Sequence, residues 1–347
     1  MKHIIYLFLI LLIFAGCSIN PKVKDLPKWE DEKYTDVLVL FENNCKKSKA
    51  KEIYGSLCED IPHAENAKEF FENNFELKEV GGGEVGLLTG YYEPQLRGSL
   101  VKKAPYLYPI YKRPKDLIVV ELDKIYPELK RYRLRGRVVD GKLVPYYSRQ
   151  ESKNIKLNAD VICYVDSKID RFFLEVQGSG RISLDNGKEI FVGFSNQNGH
   201  RYSSIGKYLI NKGEIAREDI SLQSIREWLL KHPNRIDEVL NYNKSMVYFE
   251  QRGSGATGSL GVALTPKRSV AVDRRYIKLG SLLYMDAVVD SKNFERFVFA
   301  QDTGGAIKGK VRADLFLGYG DEAMRVAGEL KSPLKLWVLL PKKRVDE

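Results

Sequence analysis

The sequence predicts a mainly β, exported protein carrying a few helices. Three observations lead there. Short runs rich in Val, Ile, Tyr and Leu, cut by Gly, Pro and Asp, dominate from Leu87 onward. Helix-period spacing is confined to residues 36–75, 203–232 and 321–330. The chain also opens on a short apolar leader.

In the leader, Lys2 and His3 form a polar start, Ile4 to Phe14 is an unbroken apolar run, and Ala15-Gly16-Cys17 closes it. Eleven apolar residues in a helix cover about half the hydrocarbon thickness of a bilayer. The run is therefore a signal-type segment and not a membrane span. Small residues directly before Cys17 read as a lipoprotein processing site, with Phe14 where leucine is usual; an ordinary cleavable signal with a nearby cysteine is the alternative. On the first reading residues 1–16 are removed, Cys17 is acylated, and residues 17–35 tether the remainder of the chain. Acylation of one residue with several chains anchors a protein without a transmembrane helix.

Val37, Leu40 and Phe41, then Ala67, Phe70 and Phe71, fall at helical spacing, and Gly81-Gly82-Gly83 breaks that region. The clearest hairpin is Arg171 to Phe194. Phe172, Leu174 and Val176 alternate on the way in, Asp185-Asn186-Gly187 supplies the turn, and Ile190, Val192 and Phe194 resume the period. Residues 203–211 and 221–232 form a helical island, with Leu222, Ile225 and Leu229 on one face and Pro233 as the stop. Strands return from Met246 through Ala300. Asp321 is expected to cap a last helix reaching Leu330, and Leu334 to Leu340 reads as a terminal strand.

About 330 residues come after the leader, enough for two modest domains or one large one with an insertion. The net charge of +10, or +9 once Lys2 is removed, is dispersed, with no Lys/Arg block. Charge alone admits nucleic acid, but export favours an anionic wall polymer or lipid surface. The 20 tyrosines suit stacking on sugar faces, although most tyrosines in any chain simply pack. With Cys17 lipidated, Cys45 and Cys58 are close enough for a short-loop disulfide in an oxidising compartment and Cys163 is the odd thiol. The alternative makes all three small buried hydrophobes. Four scattered histidines and the absence of paired cysteine spacing predict no metal and no cofactor.

Near the C-terminus an apolar run, Phe297 to Ala300, meets Gln301-Asp302-Thr303-Gly304-Gly305, and Val311-Arg312-Ala313-Asp314 comes shortly after. Glycines after a strand let a ligand approach the backbone closely. Two acids bracketing such a turn can meet at the mouth of a sheet, where acid–base chemistry is commonly placed; a solvated β-turn is the plainer account. Thr89-Gly90-Tyr91-Tyr92-Glu93-Pro94 is a strand end whose paired tyrosines point to opposite faces, so one can serve the core and one a ligand. Gln177-Gly178-Ser179-Gly180 offers backbone N–H groups and a hydroxyl, or merely a turn. Gly199-His200-Arg201-Tyr202-Ser203-Ser204 leads into a helix with a serine cap, and His200 reads as packing.

Taken in order, the segments LTGYYEP, YPIYKRP, VQGSG, NGHRYSSIGKYLI, VFAQDTGGAIKG and RADLFLGYGDEA resemble the membrane-bound lytic murein transglycosylase A family, from about Leu87 to Leu340. The resemblance implies a double-psi β-barrel assembled from residues 36–96 and 246–347. A second β-rich domain with some helices, residues 97–245, would be inserted into it, with a glycan groove between the two. It implies cleavage of the β-1,4 MurNAc–GlcNAc bond of peptidoglycan with formation of 1,6-anhydro-MurNAc ends. The substrate's own C6 hydroxyl replaces water there, so one carboxyl group suffices where a hydrolase needs two. Asp314 matches that acid. Asp302, Tyr91, Tyr92, Glu93, Gln177, Gly178, Ser179, Gly304 and Gly305 are expected to bind substrate. Leu315 and Phe316 are expected to keep Asp314 dry and protonated, with Lys308 opposing them if it points inward. The implied setting is the bacterial cell envelope, lipid-anchored in the outer membrane and facing the periplasm. Cell-wall synthesis or hydrolysis complexes would be partners there.

Two other function classes fit parts of the sequence. Asp302-Thr303-Gly304 is an aspartic-protease signature, but the second copy that a pepsin-like dyad needs is missing. A non-catalytic, expansin-like wall-binding lipoprotein would use the same barrel without either acid.

Overall fold

The computed structural model describes residues 22–342. The lipidation residue Cys17 lies outside them. Ordered packing begins earlier than a tether through residue 35 would allow. Val23, Leu26 and Trp29 are buried, and Glu32 pairs with Arg268. A spacer must remain solvated, whereas these apolar side chains bury more favourably against the neighbouring helices and strands.

Four helices come next: α1 (Tyr34–Cys45), α2 (Ser48–Tyr54), α3 (Leu57–Asp60) and α4 (Ala67–Asn74). Val37, Phe41, Ala50, Tyr54, Phe70 and Phe71 turn inward, with Trp29 among them. Cys45 and Cys58 are joined in a disulfide with their Cα atoms 5.5 Å apart. Cys163 is buried as a free thiol, and burial pushes its pKa up to about 12.

Strands β1 (Phe75–Glu79) and β2 (Gly86–Glu93) come after α4, and the chain then builds a second region. That region contains β3 (Gln95–Ser99), β4 (Tyr108–Tyr111), β5 (Ile118–Val119), β6 (Arg135–Val139), β7 (Lys142–Pro145) and β8 (Val161–Val165). Helix α5 (Lys168–Gln177), β9 (Ser179–Leu184) and β10 (Glu189–Gln197) come next. Helices α6 (Ile205–Asn211), α7 (Leu222–Lys231) and α8 (Ile236–Tyr242) precede β11 (Val247–Arg252). The chain then returns through β12 (Ser269–Val272), β13 (Leu282–Val289), β14 (Lys292–Asp302), β15 (Arg312–Tyr319), α9 (Gly320–Glu329) and β16 (Lys331–Pro341).

Six strands close on themselves in the order β16-β13-β14-β12-β15-β2, because β16 also pairs with β2. Two pairs, β12–β14 and β15–β2, are parallel and the others antiparallel. This is the double-psi β-barrel. Leu88, Val270, Leu283, Val298, Ala300, Ala313, Leu315 and Leu336 fill its interior. Alternation sends Leu282, Tyr284, Phe297, Phe299 and Leu339 to the outer face, where the N-terminal helices cover them. A buried ion pair ties this layer together. Arg268 donates to Glu32 Oε1 and Oε2 at 2.6 and 2.8 Å and to Phe297 O at 2.9 Å, while Phe297 N donates back to Glu32.

The second region holds a six-stranded sheet, β11-β10-β9-β3-β8-β4, and a small sheet of β5, β6 and β7. Strand β11, expected with the first domain, pairs with β10 here. Pro94 alone separates β2 of the barrel from β3 of this sheet.

The hairpin expected over Arg171–Phe194 is half right. Its turn and outgoing strand stand, but Phe172, Leu174 and Val176 lie on helix α5. Ser167 caps that helix by accepting from Asp170 N, and Gly178 ends it with φ +82°. Residues 172–175 are all buried, so a period of two and a wide helical face produced the same letters. Asp321 also sits in the first turn of α9, with Tyr319 in the capping position.

Candidate functional site

The face of β12, β15 and β2 away from the barrel core carries the polar residues. Register pairs Asp314 on β15 with Thr89 on β2 and with Ala271 on β12; Ala271 also faces Asp302 on β14. Asp302 reaches this row through a bulge. Val270 pairs with Ala300, but Ala271 pairs with Asp302, leaving Gln301 as the extra residue. The additional residue re-aims Asp302, which strict alternation after Ala300 would send to the core. Gln301 itself is buried. It accepts from Ser269 Oγ at 2.6 Å and donates to Asn44 Oδ1 at 3.3 Å.

Asp302 is held as an acceptor on both oxygens. Ser259 donates to Oδ1 through its backbone N at 2.9 Å and its hydroxyl at 2.8 Å, and Tyr91 OH donates to Oδ2 at 3.0 Å. Asp314 has one engaged oxygen, Oδ1, which accepts from the Thr89 hydroxyl. Burial raises the Asp314 pKa above the ordinary carboxylate range. The Thr89 hydrogen bond and the Arg312 charge oppose that rise, and the Asp302 charge adds to it. The Tyr91 phenol is pushed well up, first by burial and then by Asp302.

Phe316, two residues beyond Asp314, packs its ring at a tilt against Tyr91, centroids 5.3 Å apart, and shields this face. Leu315 does not: alternation points it into the barrel core. Lys308 is exposed on the connecting loop, and the cation that acts on Asp314 is Arg312. The loop is pinned by Asp273, which accepts from Gly309 N at 3.0 Å.

The expected binding residues divide. Tyr91, Asp302 and Asp314 are brought together, with Gly304 and Gly305 just beyond. A Cβ at Gly304 would come within 2.7 Å of the Ile307 side chain, while Gly305 is open. Tyr92 turns to the opposite face of β2 and packs in the core, 6 % exposed, so it does not join the acids. Glu93 is buried and accepts from Arg181 of the second sheet at 2.7 and 3.1 Å. Arg181 in turn lies 3.7 Å over the Tyr319 ring. Gln177, Gly178 and Ser179 form the α5–β9 corner, and Gln177 Oε1 accepts from Tyr92 N at 3.4 Å. That corner touches the site strand and not the acids.

Thr89, Ser259 and Arg312 are site residues that sequence reasoning missed. Thr89 and Arg312 stood in segments already singled out. Ser259 comes from a separate loop, and nothing local links it to Asp302. His200, by contrast, is structural, with Nε2 2.8 Å from Tyr146 O.

Residues 87–250 match the family described as MltA specific insert domain, and residues 268–340 match the 3D domain. The chain is 32 % identical over 275 residues to the membrane-bound lytic murein transglycosylase A homolog of Buchnera aphidicola, covering 76 % of this chain and 69 % of that protein. The crystal structure of MltA from Neisseria gonorrhoeae superposes with a TM-score of 0.81 at 33 % identity, covering 92 % of this chain and 91 % of that one. Escherichia coli MltA with bound chitohexaose superposes at 0.67 with 26 % identity, covering 90 % and 91 %.

Proposed function

The chain belongs to the membrane-bound lytic murein transglycosylase A family, peptidoglycan-cleaving lyases of the cell envelope, and on that premise we propose that Asp314 alone performs the proton transfers of cleavage. The unequal hydrogen bonding of the two acids supports this reading. Asp302 already accepts from three donors, two on Oδ1 and one on Oδ2. Asp314 keeps Oδ2 free and has a raised pKa, so it suits a general acid.

Protonated Asp314 gives its proton to the glycosidic oxygen as the bond to the MurNAc C1 breaks. The MurNAc C6 hydroxyl then attacks C1, and the Asp314 carboxylate takes its proton, leaving a 1,6-anhydro end. Asp302 orients Tyr91 and sets the local field. The E. coli relative is described with bound chitohexaose, and in this chain the face carrying Tyr91, Asp302 and Asp314 would take the murein glycan strand.

Mass spectrometry of products from purified sacculi tests the reading. Anhydro ends, lighter by one water than reducing ends, are expected; reducing ends would make water the nucleophile and require a second carboxylate. We also propose that Cys17 carries a lipid holding the protein at the outer membrane, facing the periplasm. Cys17→Ala should release it to the soluble fraction, and membrane retention equal to the parent would overturn the anchor.

A further inference from the structure

Among the described residues, one cation acts on Asp314, and the proton transfers above give it no role. Arg312 sits on the same face of β15 as Asp314, opposite Leu87 in the parallel pair with β2. It forms no ion pair with Asp314 among the described residues. Its fork is used elsewhere. Nη1 donates to the carbonyls of Leu87 and Ala313, and Nη2 donates to Thr89 Oγ1 at 2.8 Å. We propose that Arg312 is a positioning residue that, through Thr89, decides which oxygen of Asp314 carries the proton.

A guanidinium only donates, and a threonine hydroxyl has one proton. With Nη2 directed at a Thr89 lone pair, the Thr89 proton is turned to the acceptor within reach, Asp314 Oδ1. Oδ1 is then an acceptor in both charge states, and when Asp314 is neutral its proton lies on Oδ2. The same Oδ2 is the free acceptor once the proton has left. Donor and later base are therefore one atom, and neither half of the reaction requires Thr89 or the carboxyl to rotate. Backbone carbonyls on both strands fix the guanidinium, so the orientation is set before substrate arrives.

The inference rests on Asp314 being the acid, and its test separates the two. Murein turnover, chitohexaose binding and pH–rate profiles are measured for Arg312→Met, Arg312→Lys, Thr89→Val, Thr89→Ser, the Arg312→Met/Thr89→Val double variant and Asp314→Asn. Arg312→Met should lower kcat about 10-fold or more with chitohexaose binding kept, the scale expected when a reacting group loses its alignment. Its alkaline limb should move to higher pH, because a cation that favoured the Asp314 carboxylate is gone. Arg312→Lys should hold the limb in place yet recover only part of the rate, and Thr89→Ser should recover most of the rate that Thr89→Val loses. The double variant should lose no more than the worse single, since both act through one hydroxyl.

Additive losses, an unmoved limb in Arg312→Met, or Thr89→Ser as slow as Thr89→Val would overturn the proposal. If Arg312→Met does not fold, the Thr89 pair and Arg312→Lys decide the matter by the same criteria. An inactive Asp314→Asn beside an unimpaired Arg312→Met removes only the orienting role. An active Asp314→Asn removes the acid assignment itself.

Discussion

Asp302 and Asp314 pair with the same residue, Ala271, from opposite sides of strand β12. Two strand spacings put their backbones about 10 Å apart. Asp302 accepts from three donors and Asp314 from one, and the two are coupled through the Asp302 charge, which raises the Asp314 pKa, rather than through a shared proton.

Asp314→Asn should therefore reduce murein cleavage by at least ~10²-fold, the usual scale of general acid–base catalysis. Chitohexaose affinity, read by calorimetry, should persist because Tyr91 and Asp302 keep their hydrogen bond. Parental turnover in this variant would move the catalytic role elsewhere.

The same substitution has a signature in stability. The Asp314 pKa is raised by folding, so its contribution is favourable below the unfolded carboxyl pKa and is lost as pH rises through the folded value. At neutral pH Asp314→Asn removes a disfavoured charge. Its melting temperature should exceed the parent's at pH 7, and the gap should close near pH 4. An equal gap at both pH values would contradict the raised pKa.

Asp302→Asn should act in the opposite sense to Arg312→Met on the pH profile. Removing the Asp302 charge takes away one of the effects that raise the Asp314 pKa, so the alkaline limb should shift to lower pH. Asn keeps one acceptor oxygen where the carboxylate has two, so either the Ser259 donors or the Tyr91 hydroxyl lose their acceptor, and glycan binding should weaken together with rate. A change in rate without any movement of the limb would show that the two acids are not electrostatically coupled.

Breaking the Glu32–Arg268 pair should be costly. Both groups are buried, and removing one partner strands the other, about 3–5 kcal/mol at sites of this kind. Burial pushes the Glu32 pKa up, but Arg268 and the N–H groups of Phe297 and Lys33 bring it below the ordinary value. That contribution is present above the unfolded carboxyl pKa and fades as pH falls through the folded one. Denaturant unfolding of Glu32→Gln should show the deficit at pH 7 and much less of it in acid.

Reducing Cys45–Cys58, or replacing both with serine, should lower stability by about 3 kcal/mol, the value expected for a loop of this length. Barrel chemistry should survive, because the bridge joins helices α1 and α3, and none of the hydrogen bonds to Asp302 or Asp314 comes from them among the described residues. Loss of activity at temperatures where the reduced protein remains folded would contradict that separation.

Ordered segments around Tyr91, Asp302 and Asp314 pointed to the barrel through the family they resemble, and each motif is local enough in the chain for these residues to be named from it. Three features were hidden for physical reasons. A bulge is one residue without compositional mark, so Gln301 read as an ordinary strand residue. Helix α5 buries four consecutive residues, which erases the contrast that separates a helix from a strand; Ser167, Asp170 and Gly178 were the cap signals that could have corrected it. Ser259 reaches Asp302 across 43 positions, and only closure of the barrel creates that contact. Tyr92 illustrates the converse: its motif was right, but strand alternation admits only one of two adjacent rings to a face.

On the proposed lipid anchor, burial of Val23, Leu26 and Trp29 would also set a working radius. With Cys17 as the attachment point, six residues reach Val23, and even a fully extended chain of that length spans no more than about 20 Å. A longer leash would let the groove sample wall at any depth. Held so short, the enzyme would work on the murein layer lying directly against its own membrane.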